Sequence, residues 1–188
     1  MEMPILTIVR GLPGSGKSTY AMTLAARTGA VLIEPDAFLM HAGTYDYTPA
    51  RYMRAKHLAW NLAAAAGSIG ADVIYVDVLP TKSDIDNVVR FCTDDRGTAN
   101  IRVFDMPLLT VEESMARNRH AVRREDIERM AREWEPWEAS GLHVIDASLL
   151  QSREPHNSAD LYLCDVCGST FEDWNEFQFH KQEECREA

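Results

Sequence analysis

No apolar run in this sequence reaches the roughly 18 residues that a membrane-crossing helix requires, so no membrane partner is expected. The opening Met1-Glu2-Met3-Pro4 carries neither the basic segment nor the cleavage site of a secretory leader, and the expected location is the cytoplasm. No internal repeat and no low-complexity tract is found, which sets aside repeat architectures and disordered polar arrays. An excess of positive charge is also missing. The formal net charge of −10 argues against a surface built to coat a nucleic-acid duplex. Cysteine is scarce: of the four in 188 residues, three lie beyond residue 160. What is present is a 46% hydrophobic content, enough for a true core. The length suits one domain of about 150 residues plus a small appendage.

Charge is distributed unevenly. Residues 1–150 hold 16 Lys and Arg against 20 Asp and Glu, while 161–188 hold two against seven. Within the first stretch, Arg117, Arg119, Arg123, Arg124, Arg129 and Arg132 fall inside sixteen residues. Such a cluster in an acidic protein suits either the gripping of a few phosphates or a solvated helix face. Along the chain, apolar runs at Ile5–Val9, Val31–Glu34, "ADVIYVD", Ile101–Phe104 and "LHVID" read as strands. They alternate with helical patterns at Lys17–Arg27, Pro49–Ala66, Asp84–Cys92, a segment capped by Thr110 and Glu113, and Glu125–Trp134. This alternation predicts an α/β fold with a parallel sheet. The polar stretch 151–160 reads as a linker, dividing a domain at 1–150 from a module at 161–188.

The stretch Gly11-Leu-Pro-Gly-Ser-Gly-Lys17-Ser18 fits the phosphate-binding pattern G-x-x-x-x-G-K-[ST], with a strand before it and a helix after it. Gly14 and Gly16 let the chain turn, so that consecutive N–H groups across Gly14, Ser15 and Gly16 point at one anion. The following helix adds the positive end of its dipole. Lys17 then reaches the β- and γ-phosphates and the Ser18 hydroxyl binds Mg²⁺. Asp77, closing an apolar strand, suits a second magnesium-holding position, directly or through water, ahead of the alternative of a turn or helix cap. "TKSD" at Thr81–Asp84 imitates a guanine-reading motif but stands too close to Asp77 to reach a base, and reads as a helix start.

A motor needs a far longer chain, and a switch GTPase needs D-x-x-G where this sequence has Asp77-Val-Leu-Pro. A hydroxyl kinase needs a carboxylate to accept the acceptor's proton, arginines for the charge on the transferred phosphoryl group, and an acceptor pocket. Asp36, just past the second strand, stands where that base belongs, with an Asx turn after Pro35 as the lesser alternative. The arginine cluster stands where small kinases carry a lid.

The pieces "GLPGSGKST", Asp36, "GTYDYT" with "AKHLAWN", "VIYVD", "FDMP" and "RNRHAVRREDIERMAREWEP" together resemble the bacteriophage type of polynucleotide 5′-hydroxyl kinase. The resemblance covers Ile5 to about Trp137. It implies a P-loop kinase fold with ATP as donor and Asp36 as proton acceptor. It further implies Lys17, Ser18 and Thr19 on phosphates and Mg²⁺, Arg117 or Arg119 as the lid arginine, and His57 near the acceptor. The departures lie on the acceptor side: Leu39 replaces an arginine, Val78-Leu79 follows Asp77, and the lid reads Val122-Arg123.

The tail reads Cys164-x2-Cys167-x12-His180-x4-Cys185, with Tyr162, Phe171 and Phe177 as aromatic companions. That is the pattern of a C2HC zinc finger, and zinc binding, on the order of 10 kcal/mol, is what would hold so small a module folded. A redox pair or disulfide would leave His180 and the aromatics without a purpose. Cys92 stands apart as a distant thiol. The finger's expected helix is acidic, so a protein partner or self-association is favoured over groove reading. The function expected is transfer of the γ-phosphate of ATP to a nucleic-acid hydroxyl, a polynucleotide 5′-OH or a hydroxymethyl-pyrimidine base. The alternatives are a small-molecule kinase acting on a nucleoside, sugar or antibiotic, and a non-catalytic nucleotide-binding adaptor.

Overall fold

A computed structural model describes residues 3–41, 44–93, 100–120, 122–137, 142–146, 162–163 and 170–171. The chain divides into two compact units, Met1–Ser152 and Arg153–Ala188. In the first unit the elements run β1 Ile5–Arg10, α1 Lys17–Thr28, β2 Val31–Ile33, a 3₁₀ helix Pro35–Leu39, and the small hairpin β3 Met40–His41 and β4 Thr44–Tyr45. They continue as α2 Pro49–Ser68, β5 Val73–Asp77, α3 Lys82–Cys92, β6 Asn100–Asp105, α4 Val111–Arg117, α5 Arg124–Arg132 and β7 Leu142–Asp146.

The main sheet has the order β2-β5-β1-β6-β7. Every residue of β5, and all of β1 but Ile5, is buried, as a parallel strand covered on both faces must be. Alternate residues serve opposite faces. Leu6, Ile8, Val73 and Tyr75 pack with Ala59, Trp60 and Ala63 of α2 and Ile85, Val88 and Val89 of α3. Val9, Ile74 and Val76 pack with Ala21 of α1. The alanines at positions 55, 59 and 63, all buried, recur every four residues and let α2 approach the sheet closely. Thr48 caps that helix by accepting from the Arg51 N–H at 3.2 Å, ahead of Pro49 in its first turn. Reciprocal capping boxes open α3 (Thr81 with Asp84) and α4 (Thr110 with Glu113), so the guanine-like "TKSD" is a helix start.

One strand departs from the expected parallel order: β7 runs antiparallel to β6. The reason is the route of the chain. After α5, the Glu135 N–H donates to the Pro80 carbonyl at 2.8 Å, and the Trp137 N–H donates to Asp105 Oδ2 at 3.2 Å. Both tie the chain to the edge at which β5 and β6 end. It re-enters the sheet from that edge and must run back down. The 3₁₀ helix and the β3–β4 hairpin were not expected from the sequence, being too short to show a period. Cys92 is buried, and burial pushes its thiol far up, which makes it a packing residue.

In the second unit, β8 Tyr162–Leu163 pairs antiparallel with β9 Thr170–Phe171. The linker expected at 151–160 and the zinc ligands Cys164, Cys167, His180 and Cys185 lie outside the described residues. Among the described residues no helix is long and apolar enough to cross a membrane.

Candidate active site

The parallel strands β1, β2, β5 and β6 all end on one edge of the sheet, where open α/β folds bind ligands. The loop from Gly11 to Gly16 leaves β1 there. Gly14 (φ 78°) and Gly16 (φ 88°) are left-handed. The Ser15 N–H donates to the Leu12 carbonyl at 3.1 Å, and the first helical bond of α1 is Tyr20 N–H to the Gly16 carbonyl at 3.0 Å. The amides of Lys17, Ser18 and Thr19 therefore stand at a helix N-terminus, without a turn before them to accept their hydrogens. Gly14, Gly16, Lys17, Ser18 and Thr19 all line one cleft of about 1240 Å³. Ser15 Oγ is buried and without a partner among the described residues.

Glu34, Asp36 and Asp77 face the same cleft, as does Asp126, which pairs with Arg123. Ser18 Oγ donates to Glu34 Oε1 at 2.5 Å. Asp36, in the 3₁₀ helix, accepts from the Tyr45 hydroxyl at 2.9 Å through Oδ1. Asp77 Oδ1 accepts from the Tyr52 hydroxyl at 2.5 Å and from the Val78 N–H at 2.7 Å. Its other oxygen, Oδ2, is buried and has no partner among the described residues. Burial raises the Asp77 carboxyl above the ordinary carboxylate range, against the opposing pull of Lys56 and of the Tyr52 hydroxyl. Burial, joined by the neighbouring carboxylates, likewise raises the Tyr45 and Tyr52 hydroxyls, so both remain donors. Tyr52, Tyr47, Tyr45 and His120 form a row of rings, with centroids 5.8, 6.4 and 4.6 Å apart in turn. Tyr47 is 53% exposed.

The segment expected to form a lid comprises α4 and α5. Ser114 Oγ donates to the Pro13 carbonyl at 2.6 Å, seating α4 on the phosphate loop. Asn118 shapes the turn, donating from Nδ2 to the Val122 carbonyl at 2.7 Å and accepting from the His120 and Val122 N–H groups. Arg117, Arg119, Arg123 and Arg129 line the cleft. Arg123 pairs with Asp126, Arg124 with Glu112 and Glu128, and Arg129 with Glu133. Neither Arg117 nor Arg119 makes an ion pair among the described residues. Of the six clustered arginines, Arg123, Arg124 and Arg129 are thus paired on the helix face, while Arg117 and Arg119 line the cleft without an ion pair among the described residues.

One expectation on the acceptor side changes. His57 is not among the residues lining the cleft; its ring lies 5.1 Å from that of Trp60, and burial, then Lys56, lowers its pKa to about 4. Leu39 is buried at the end of the 3₁₀ helix and serves the core. Sequence reasoning missed Glu34, Tyr45, Tyr52 and Asn118. The signal open to it was the carboxylate spacing Glu34-Pro35-Asp36 and the tyrosine-rich "TYDYTPARY", but neither carries a period. Gly14 also faces the lid. A Cβ added there would stand 2.7 Å from Arg117 Cβ at a φ of +78°. Gly14→Ala is therefore expected to weaken ATP binding by about tenfold or more, from roughly 1–3 kcal/mol of backbone strain, as read by calorimetric titration.

The family model described as "AAA domain" matches residues 6–137. An uncharacterized protein of Pasteurella multocida (strain Pm70) is 42% identical over 71 residues, which are 34% of this chain and 40% of that protein. Among solved structures, a chain of the Pnkp1/Rnl/Hen1 RNA repair complex matches with a TM-score of 0.61 at 21% identity, covering 88% of this chain and 54% of that one. A chain of a Pnkp1/Rnl/Hen1 complex matches at 0.52 and 28% identity, over 62% and 40%. An unliganded sugar kinase from Janibacter sp. HTCC2649 matches at 0.53 and 18% identity, over 78% and 90%. The chain spans about half or less of the length of the Pasteurella relative and of the repair-complex chains. Its fold is that of P-loop kinases, and that fold is shared by a chain of an RNA repair complex and by a sugar kinase.

Proposed function

This chain belongs to the AAA-domain family, and from that premise we propose that it is an ATP-dependent kinase acting on a nucleic-acid hydroxyl. The acceptor is a polynucleotide 5′-OH or a hydroxymethyl-pyrimidine base. The observation that carries this reading is the acceptor side of the cleft. Asp36, bonded to the Tyr45 hydroxyl, lines the same cleft as Tyr47, Arg117 and Arg119. Rings that stack on bases beside cations that meet phosphates are how single-stranded nucleic acid is gripped. The likeness to a chain of an RNA repair complex supports the same choice.

In this mechanism the loop amides and Lys17 hold the β- and γ-phosphates. Asp36 accepts the proton of the acceptor hydroxyl as its oxygen attacks the γ-phosphorus. The bond to the bridging oxygen breaks, and ADP leaves. Arg117 and Arg119 meet the charge that builds on the transferred group. Mg²⁺, when bound, neutralises charge on the β- and γ-oxygens. Ser18 and Asp77 would hold it, and the partnerless buried oxygen of Asp77 fits a cation. Among the described residues no three His, Cys, Asp or Glu side chains form a ready metal cage. That suits magnesium, which is bound by one or two carboxylates together with phosphates and water.

For the second unit we propose a zinc finger at 161–188, joined to the kinase domain at 1–150 by the linker 151–160. The antiparallel pairing of Tyr162–Leu163 with Thr170–Phe171, which flank Cys164 and Cys167 in the sequence, supports it. The acidic sequence around its expected helix suits a protein partner or a second copy. A small-molecule acceptor is the second reading, favoured by the match to 90% of the sugar kinase chain. The test follows label from γ-labelled ATP with Mg²⁺ into 5′-hydroxyl DNA, 5′-hydroxyl RNA, hydroxymethyl-pyrimidine DNA, free nucleosides and sugars, with bound zinc measured on the same protein. Label in one polymer and one zinc per chain are expected. Label only in a free sugar or nucleoside overturns the nucleic-acid reading, and a zinc-free folded protein overturns the finger.

A further inference from the structure

The hydroxyl of Ser18 has its proton committed to a residue outside the P-loop pattern. Ser18 Oγ donates to Glu34 Oε1 at 2.5 Å, the short range of a hydroxyl on a carboxylate. Asp77, which the loop pattern would pair with this serine, is engaged elsewhere. Its Oδ1 takes the Tyr52 hydroxyl and the Val78 N–H, and its Oδ2 is buried with no partner among the described residues. A serine oxygen can offer a lone pair to a cation only if its hydrogen points away, and here that hydrogen points to Glu34. Both carboxylates line the cleft that holds Lys17 and Ser18.

We infer that Glu34 is the positioning residue of the magnesium site, taking the Ser18 proton so that Ser18 Oγ faces the metal and adding a second negative charge beside Asp77. The backbone makes the placement firm. Glu34 directly follows β2, whose partner in the sheet is β5, the strand that ends in Asp77. Pro35 begins the 3₁₀ helix, so the turn that presents Asp36 to the acceptor also presents Glu34 to the loop. One dipeptide step therefore separates a carboxylate for the metal from one for the proton.

The inference rests on the reading that the loop binds a magnesium nucleotide. The experiment titrates a fluorescent ATP analogue into the full chain, with and without Mg²⁺, for the unaltered protein, Glu34→Gln and Glu34→Ala. Each is paired with a Mg²⁺ titration of phosphoryl transfer. Glu34→Gln keeps an oxygen for the Ser18 proton and loses the charge; Glu34→Ala loses both. The metal needed for half-saturation is expected to rise about tenfold in Glu34→Gln and up to about a hundredfold in Glu34→Ala, the range seen when groups supporting a metal ligand are removed. Affinity without Mg²⁺ should stay the same, which also establishes that the variants are folded. Unchanged magnesium dependence in both variants, with nucleotide bound, overturns the inference alone. So does a lost transfer rate with unchanged magnesium dependence, which would make Glu34 a proton acceptor. An unaltered protein that binds no nucleotide overturns the inference together with the reading beneath it.

Discussion

Asp36→Asn is expected to bind Mg–ATP as tightly as the unaltered chain and to lose about 10² to 10⁴ of its phosphoryl-transfer rate. The argument begins with the bond that Asp36 already makes. Its Oδ1 accepts from the Tyr45 hydroxyl at 2.9 Å, and the amide oxygen of Asn can accept in its place, so the 3₁₀ helix and the hairpin behind it keep their shape. What Asn cannot do is take a proton. Its other atom becomes an NH₂ group that offers hydrogens to the acceptor hydroxyl. The phosphate loop, Lys17 and the lid arginines are untouched, so donor binding should be preserved. Single-turnover transfer from γ-labelled ATP, set beside calorimetric ATP binding, separates the two. An equal rate in the variant would remove Asp36 from the proton step. A parallel loss of ATP binding would give it a structural place instead.

The phosphate loop, the central strands, the helix start at Thr81–Asp84 and the capping box of α4 were legible because each rests on residues close in sequence. Gly14, Gly16, Lys17 and Ser18 sit within one turn, and Thr110 and Glu113 cap their own helix. The direction of β7 was not legible, because it depends on where Glu135 and Trp137 are tied, about thirty residues or more from Asp105 and much further from Arg10. The carboxylates show the same divide. Asp36 and Asp77 could be picked out as ends of apolar strands, but Glu34 meets Ser18 only once β2 lies alongside β5. The tyrosines that steady Asp36 and Asp77 come from the hairpin and from α2. No local pattern announces a hydroxyl that crosses from one element to another. His57 shows the opposite error, since a matching sequence position carried an expected role to a side chain that does not line the cleft and whose ring lies beside Trp60.

Asp105→Ala is expected to lower the unfolding free energy by about 3–5 kcal/mol, the cost of leaving a buried charge without its counterion. Arg10 is fully buried at the end of β1, directly before the phosphate loop. Its Nε donates to Asp105 Oδ1 at 2.6 Å, Nη1 to the Leu79 carbonyl at 2.9 Å and Nη2 to the Glu135 carbonyl at 2.5 Å. The guanidinium also lies 4.3 Å from the centre of the Trp134 ring. One side chain thus joins the ends of three strands to the segment that leaves the lid helix α5. With Asp105 removed, the guanidinium keeps two carbonyls and a ring but no charge to balance its own. Arg10→Met with Asp105→Leu should recover much of the loss, because a buried ion pair is often replaced by apolar groups at little cost. Urea unfolding of the three proteins, followed by tryptophan fluorescence, measures this, and Trp134 and Trp137 report from beside the pair. A double variant as unstable as Asp105→Ala would mean that the polar bonds to Leu79 and Glu135, and not the uncompensated charge, set the cost. Since Glu135 and Trp137 hang from this pair, the double variant should also loosen the lid, raising the KM for ATP more than it lowers kcat.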